Sequence, residues 1–194
     1  VAKKQIEQHN EELKRIADVD QLTGALTRRA FLARAQQQFL ESAAHRGNVC
    51  CLMVDIDHFK SINDRYGHLV GDQAIQHVTK TLHAALCPAD ILCRYGGEEF
   101  CILLPEASVQ KAHELAEHMR AQIEASCGPN VIPGDNVRIT CSFGVASVEF
   151  GGNTLAELIK QADQALYVAK NTGRNRSARY DQAIHAKGQV RAAA

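Results

Sequence analysis

The stretch with the clearest chemical potential runs from Arg94 to Phe100 and reads Arg-Tyr-Gly-Gly-Glu-Glu-Phe. Apolar runs flank it on both sides, so the pattern predicts a β-hairpin in which glycine supplies the positive φ of the turn. The adjacent carboxylates Glu98 and Glu99 repel each other and lose hydration near a core, a cost that a metal ion or nearby donors offset. Bare glycines beside paired carboxylates suit a site for a phosphate ester and a divalent cation. On this stretch alone, a solvated acidic hairpin tip remains an open alternative.

A second acidic pair follows the apolar run from Val49 to Val54. A continuous apolar run predicts a strand buried on both faces at the centre of a sheet. Asp55 and Asp57 come at its end, where the alternation of a strand places both side chains on one face. The ends of central strands are common positions for metal-binding carboxylates. A polar, glycine-punctuated segment follows over residues 58–72.

The other patterns predict the elements that position these residues. Apolar side chains at helical spacing predict one helix from an N-cap at Thr27 to about residue 45, and three more over about 75–86, 112–123 and 155–170. Residues 128–136 are predicted to form a loop, 137–148 a β-rich region, and 177–180 a short final strand. This order favours an α+β fold with one central sheet and helices packed on it.

Composition limits the function classes. The 194 residues suit one ordinary domain with a proper core. Lys plus Arg equals Asp plus Glu at 22 each, so neither a nucleic-acid partner nor a membrane-surface role is expected. No apolar run approaches the roughly 20 residues of a membrane helix. The seven cysteines form no C-x-x-C pair, which favours buried free thiols in a reducing cytoplasm over disulfides or zinc ligation.

Residues 1–17 are polar and helix-favouring, with a heptad seam formed by Ala2, Ile6, His9, Leu13 and Ile16. Two heptads are marginal alone, so the seam is expected to continue a coiled coil from an upstream region. A solvated helix resting on its own domain is the alternative. Because the chain starts with Val1, it is expected to be a piece of a longer protein. Residues 181–194 are expected to form a frayed, disordered tail.

Taken together, the motifs resemble those of the GGDEF domains, the bacterial diguanylate cyclases. Besides Arg94 to Phe100, the matching motifs occur in family order over about residues 18–176. They are Asp-x-Leu-Thr-Gly-x-Leu-x-Arg-Arg at 20–29, Asp-Ile-Asp-His-Phe-Lys-x-Ile-Asn-Asp at 55–64, Tyr-Gly-His-x-x-Gly-Asp at 66–72, Ser-Phe-Gly-Val-Ala at 142–146 and Ala-Asp-x-Ala-Leu-Tyr-x-Ala-Lys-x-x-Gly-Arg-Asn at 162–175.

The resemblance implies a palm-like, mainly antiparallel sheet over residues 18–180, preceded by a helical linker from an upstream sensor. It implies an enzyme that joins two GTP molecules into cyclic di-GMP, with Mg²⁺ or Mn²⁺ as cofactor and a homodimer as the active form. The chemistry is phosphoryl transfer, in which a 3′-hydroxyl attacks an α-phosphate and pyrophosphate leaves.

The resemblance also assigns residues. Asp55, Glu98 and the main-chain carbonyl of Ile56 would hold the metal, and either Glu98 or Glu99 could accept the proton. Lys60, Lys170 and Arg174 would neutralise the phosphates, although a helix C-cap contact is an alternative for the last two. The remaining assignments are guanine recognition by Asn63 and Asp72, a nucleotide or turn contact by His68, and mainly structural roles for Asp57 and Asp64.

Two positions depart from the common family pattern. Glu98 stands where aspartate is more frequent, a form that active members also use. Many members have an Arg-x-x-Asp inhibitory site, and here Asp90 is present but Cys87 replaces the arginine, so the bidentate guanidinium is missing. The favoured reading is a competent diguanylate cyclase. The alternatives are a degenerate domain that binds GTP or cyclic di-GMP without turnover, and an interaction module that keeps only the fold.

Overall fold

The computed structural model describes residues 18–45, 47–132 and 137–181. The predicted heptad helix over 1–17 lies outside these residues, as does nearly all of the predicted tail over 181–194.

Six strands and five α-helices follow one another along the described chain. The strands are β1 Leu26–Thr27, β2 Val49–Ile56, β3 Ile91–Arg94, β4 Glu99–Pro105, β5 Cys141–Ser147 and β6 Ser177–Arg179. The α-helices are α1 Arg28–Ala44, α2 Phe59–Tyr66, α3 His68–Ala84, α4 Val109–Val131 and α5 Leu155–Asn171, and a 3₁₀ turn spans Val148–Phe150.

The strands form one sheet in the order β1-β3-β4-β2-β5-β6. The inner ladders β3–β4, β4–β2 and β2–β5 are antiparallel, and the two outer ladders are parallel. Every residue of β2 is buried, which confirms the prediction of a central strand covered on both faces. The expected α+β fold with a mainly antiparallel sheet is therefore confirmed.

Helices cover the sheet on both sides because alternate residues of β2 point to opposite faces. On one face Leu52 and Val54 pack with apolar side chains of α3 and α4. On the other, Cys51 and Met53 pack with side chains of α1 and α5. The central strand thus lies between two apolar layers. Its polar C-terminal end lies at the edge of these layers.

Several local predictions are confirmed and three are corrected. Thr27 caps α1 by accepting a hydrogen bond from the Ala30 N–H at 3.4 Å, and β6 occupies the predicted final strand. The polar, glycine-punctuated segment over 58–72, to which no helix was assigned, forms α2 and the first turn of α3. Helix α4 extends to Val131 and includes Pro129, which the predicted loop contained. Only Cys141–Ser147 of the β-rich region is a strand.

The seven cysteines are free, and all except Cys87 are buried, as the composition predicts. Among the helices of the described residues, none combines the length and the apolar character needed to cross a membrane.

Candidate active site

The two acidic pairs found in the sequence meet where β2 and β4 lie side by side. The antiparallel register places Asp55 directly opposite Glu99. The N–H of Ile56 donates to the carbonyl of Glu98 at 3.3 Å, so Glu98 flanks the same strand end. Cross-strand neighbours share a face, with Cβ atoms about 4.5–5.5 Å apart. The pairing of β2 with β4 therefore gathers three carboxylates from distant parts of the sequence.

A lysine from the last helix reaches this cluster. Nζ of Lys170 lies 2.7 Å from Oδ2 of Asp55, and the Asp55 side chain is only 11% exposed. The pKa of Asp55 is raised to about 6, chiefly by burial and also by the charges of Glu98 and Glu99, although Lys170 opposes the rise. A dehydrated, crowded carboxylate of this kind has a strong electrostatic demand for cations.

The hairpin is present as predicted, but its glycines serve a different purpose from the one predicted. Neither Gly96 nor Gly97 has a positive φ, so the turn does not need glycine for its backbone conformation. A Cβ on Gly96 would lie 2.6 Å from Oε2 of Glu99 and would displace that carboxylate. On Gly97 a Cβ would meet no atom of the described residues within 4 Å. The glycines keep the tip narrow and leave the backbone beside the glutamates open to approach.

Arg94, which had no predicted role of its own, holds the hairpin tip. Arg94 donates from Nε and Nη2 to the carbonyl of Gly97 at 3.0 and 2.7 Å. Its Nη1 lies 3.2 Å from Oδ1 of Asp20, in the turn before β1. Asp20 also accepts from the N–H and hydroxyl of Thr23 at 3.0 and 2.6 Å. The motif at 20–29 and the hairpin motif at 94–100 thus meet in space, which the 74-residue separation of Asp20 and Arg94 in sequence could not show.

Helices α2 and α3 bring the predicted guanine-binding residues to one place. Oδ1 of Asn63 is buried and has no hydrogen-bond partner among the described residues. The side chain of Asn63 occupies the space that a Cβ on Gly71 would need, so glycine allows the two helices to approach. Asp72 follows Gly71 in sequence and is exposed. An unsatisfied buried amide oxygen beside an exposed carboxylate is a suitable polar pair for a nucleobase.

The remaining predicted residues lie at helix ends. Lys60 is exposed in the first turn of α2, two positions after the left-handed N-cap residue His58 at φ 55°. His68 is exposed at the first position of α3. Arg174 follows the C-terminus of α5, one turn beyond Lys170, and has φ 59°.

Asp57 differs from Asp55 in its surroundings. Its carboxylate accepts from the hydroxyls of Thr140 and Ser142 at 2.7 and 2.6 Å, and from the N–H of Asn175 at 2.9 Å. Three strong donors satisfy a carboxylate without a metal ion. This environment agrees with the mainly structural role predicted for Asp57.

The donor set fits a divalent cation such as Mg²⁺ in one specific way. The described residues contain no group of three or more His, Cys, Asp or Glu side chains arranged to hold a metal ion. Mg²⁺ commonly uses one or two protein carboxylates and takes its other ligands from water and substrate phosphates. Asp55, Glu98 and a main-chain carbonyl match that partial set, and the buried carboxylate of Asp55 already attracts a cationic partner.

Comparison with known proteins identifies the family. A family model described as "Diguanylate cyclase, GGDEF domain" matches residues 17–176. The chain belongs to the GGDEF family. The resemblance seen in the motifs is thereby confirmed, and so, at the level of the family, is the expected enzyme class.

Individual relatives agree with this GGDEF assignment. Diguanylate cyclase DgcP of Pseudomonas aeruginosa is 41% identical over 169 residues, which are 87% of this chain and 25% of that protein. The chain therefore spans about a quarter of that relative's length. The coiled coil and GGDEF domain of DgcB from Caulobacter crescentus, solved in complex with c-di-GMP, superposes with a TM-score of 0.84 at 30% identity, covering 91% of this chain and 92% of that one.

A third relative bears on the glutamate at position 98. The active GGEEF domain of a diguanylate cyclase from Vibrio cholerae is 34% identical, with a TM-score of 0.74, covering 82% of this chain and 98% of that chain. That domain is active and has the GGEEF signature, which is the form found here at 96–100.

The residues at the predicted degenerate inhibitory motif lie in a surface groove of about 770 Å³. Cys87 and Asp90 line it together with Arg34 and His83. Oδ2 of Asp90 accepts from the N–H of Cys87 at 2.7 Å, so this carboxylate closes its own turn. Burial raises the pKa of Asp90, and the Cys87 N–H only partly opposes that rise.

Proposed function

We propose that this domain is a catalytically competent diguanylate cyclase, which condenses two GTP into cyclic di-GMP and two pyrophosphates with Mg²⁺ or Mn²⁺. The observation that carries the proposal is the convergence at the end of β2. Asp55, Glu99 and Lys170 come from three separate motifs, and register and a 2.7 Å ion pair bring them together. A domain that had lost catalysis would have no need to keep crowded carboxylates, because their mutual repulsion costs stability.

The acidic residues of the site are proposed to bind the metal, and the basic residues are proposed to bind the phosphates. Asp55, Glu98 and the carbonyl of Ile56 would hold the metal, which when bound supplies charge neutralisation at the reacting phosphate. Lys60, Lys170 and Arg174 would bind the phosphate oxygens, and catalysis by positioned cations is the usual source of rate in phosphoryl transfer. The contact of Lys170 with Asp55 supports this division, because it joins a proposed phosphate-binding residue to a proposed metal ligand.

Selection of GTP is proposed to come from Asn63 and Asp72. A carboxylate can accept from both N1–H and the exocyclic amine of guanine, and adenine lacks this pair of donors. The unpaired, buried oxygen of Asn63 gives that residue an open acceptor. His68, at the start of α3, is proposed to lie beside the same nucleotide.

Proton removal from the attacking 3′-hydroxyl is assigned to the glutamate pair. Glu99 is the cross-strand neighbour of Asp55, and Glu98 lies at the more open tip. Either carboxylate is a suitable acceptor if the hydroxyl comes within hydrogen-bond reach. The hydroxyl and the phosphate belong to different GTP molecules, so one site per subunit requires two subunits face to face. A homodimer, controlled by an upstream sensor region and acting in the cytoplasm, is part of the proposal.

The deciding experiment is incubation of the purified domain with GTP and Mg²⁺, with cyclic di-GMP and pyrophosphate measured by chromatography. Product in a two-to-one ratio of pyrophosphate to cyclic di-GMP supports the proposal. Saturable GTP binding without product would indicate a binding domain instead. If the domain binds neither GTP nor cyclic di-GMP, it keeps only the fold of the family and is an interaction module.

A further inference from the structure

The turn after α5 has an unusual backbone. Arg174 and Asn175 are consecutive residues with φ 59° and 45°, and neither is glycine. The left-handed region is unfavourable for a residue with a Cβ, and such conformations persist only where the surroundings enforce them. Asparagine tolerates this region better than most residues, whereas arginine has no such preference. Something outside the turn must therefore hold it.

Three hydrogen bonds fix the backbone and side chain of the turn. The N–H of Arg174 donates to the carbonyl of Ala169 at 3.0 Å. The N–H of Asn175 donates to Oδ2 of Asp57 at 2.9 Å, which ties the turn to the end of β2. Oδ1 of Asn175 accepts from Nη1 of Arg120 at 3.0 Å, which ties it to α4.

Arg120 is itself rigidly held. Its Nε lies 2.9 Å from Glu117 and its Nη1 lies 2.6 Å from Glu124, and its side chain is 18% exposed. Glu117 also accepts from the N–H and hydroxyl of Ser177 at 2.9 and 2.6 Å. Helix α4 therefore holds the second residue of the left-handed pair, Asn175, and also Ser177, two residues beyond it.

We propose that Arg120 is a positioning residue, which acts through Asn175 to hold Arg174 in the conformation that binds the phosphates of GTP. The inference rests on the proposed role of Arg174 in phosphate binding. Its basis is the combination of a strained turn, a half-buried guanidinium that contacts it, and the anchoring of that turn to Asp57. Arg120 belongs to none of the sequence motifs quoted above, so sequence patterns gave no signal for this role.

The test is a double-mutant cycle with Arg120→Met and Arg174→Ala. The readout is the dissociation constant of a non-hydrolysable GTP analogue with Mg²⁺, measured by calorimetry, alongside thermal unfolding. We expect Arg120→Met to weaken binding about tenfold in the natural background and less than about twofold when Arg174 is already alanine. Its effect on the unfolding temperature should be the same in both backgrounds. A residue that acts through Arg174 should affect binding only when Arg174 is present, whereas its effect on the unfolding temperature should not depend on Arg174.

Controls make the test decisive. Arg179→Met removes a comparably buried arginine, 20% exposed and 2.7 Å from Asp181, which does not contact the turn. It should leave the dissociation constant unchanged. If Arg120→Met does not fold, Asn175→Ala removes the acceptor and leaves the contacts of Arg120 with Glu117 and Glu124 in place. The same cycle is then run with Asn175→Ala.

Two results would overturn the positioning role of Arg120. Equal weakening by Arg120→Met in both backgrounds would overturn the inference and leave Arg120 a stabilising residue only. If Arg174→Ala alone leaves analogue binding unchanged, Arg174 does not bind phosphate and the inference falls with that assignment. Cyclic di-GMP synthesis by the natural domain is measured separately, so failure of the positioning role remains distinct from failure of the enzymatic proposal.

Discussion

Lys170 and Asp55 form an ion pair between the last turn of α5 and the end of β2, with Nζ and Oδ2 at 2.7 Å. The pair links a residue proposed to bind phosphate with one proposed to bind metal. Asp55 also lies opposite Glu99 in the sheet. Removing the charge of Lys170 or of Glu99 therefore changes the electrostatic environment of the same carboxylate, Asp55. Substitutions of residues that share partners in this way are not additive. Single variants at this site therefore measure the whole cluster.

The first prediction concerns the hairpin tip. Glu98→Gln keeps the side-chain volume and removes the charge proposed to balance Mg²⁺ and the developing phosphate charge. We expect kcat to fall by about 10² or more, with little change in thermal stability. The check is the initial rate of cyclic di-GMP formation. Glu114→Gln, at an exposed position of α4, is the matched control and should be neutral. A Glu98→Gln variant that cyclises GTP at the natural rate would remove Glu98 from the site.

The second prediction concerns base selection. Asp72→Ala should raise the KM for GTP and reduce the preference for GTP over ATP, since losing a charged acceptor costs about 1.5–3 kcal/mol. Competition between GTP and ATP in binding or turnover measures the preference. Asp64→Ala removes another exposed carboxylate, on the neighbouring helix α2, and should leave the ratio intact. Unchanged discrimination in Asp72→Ala would contradict the guanine assignment.

The sequence predicted the scaffold well because its signals were local. The apolar run before Asp55 identified the central strand, and Thr27 identified a helix start. Helix α2 was missed because its eight residues are mostly polar and only Ile62 is buried. Such a short helix depends on packing against neighbours more than on its own pattern.

The sequence named candidate site residues but could not show the contacts between them. The motifs named Asp55, Glu99 and Lys170, but only the fold shows that Glu99 lies opposite Asp55 and that Lys170 contacts Asp55. The contact of Asp20 with Arg94 spans 74 positions, and no periodicity reports on a pair so distant. The purpose of Gly96 was misjudged, because the clash of a Cβ with Glu99 depends on a side-chain position.

The third prediction concerns the Asp20–Arg94 contact. Asp20→Asn should misplace the carbonyl of Gly97 through Arg94 and lower kcat roughly tenfold, since small displacements at a reacting centre are costly. Stability should fall by about 1 kcal/mol. Asp18→Asn is the matched control, because Asp18 pairs with the exposed Arg29 at 2.8 Å and does not contact the hairpin.

The same pair predicts a pH dependence of stability. Burial acts to raise the pKa of Asp20, but hydrogen bonds from Thr23 and the charge of Arg94 lower it below its ordinary value of 3.8. A carboxyl with a lowered folded-state pKa stabilises the fold above its ordinary pKa, and that stabilisation is lost as pH falls through the folded value. The stability gap between the natural domain and Asp20→Asn should therefore narrow below about pH 4. A constant gap from pH 7 to pH 3 would contradict the ionic role of Asp20.

The fourth prediction concerns dimerisation. In the proposed function two subunits align two substrates, so activity per subunit should rise with protein concentration. The two heptads of residues 1–17 are too short to hold a dimer alone at low micromolar concentration. Fusing a stable dimeric coiled coil in register before Val1 should raise activity at low concentration, whereas the same fusion out of register should raise it less. Specific activity independent of dilution in a chain shown to be monomeric would defeat this account.

The last prediction concerns product control. Cys87 cannot supply the paired donors of an arginine, and Asp90 already accepts from the N–H of Cys87 at 2.7 Å. We expect cyclic di-GMP to inhibit weakly and only by competition at the active site, so excess GTP should relieve the inhibition. Initial rates with added cyclic di-GMP at several GTP concentrations provide the test, and Cys87→Arg should add a component of inhibition that GTP does not relieve.

Arg34 lines the same groove and provides the control for this prediction. If inhibition is competitive, Arg34→Ala should leave the inhibition constant unchanged, because the groove takes no part. Strong inhibition that saturating GTP cannot overcome, and that Arg34→Ala abolishes, would mean that Arg34 replaces the arginine missing at position 87. In that case the inhibitory site would be present, with its arginine supplied by α1 and not by position 87, contrary to the prediction.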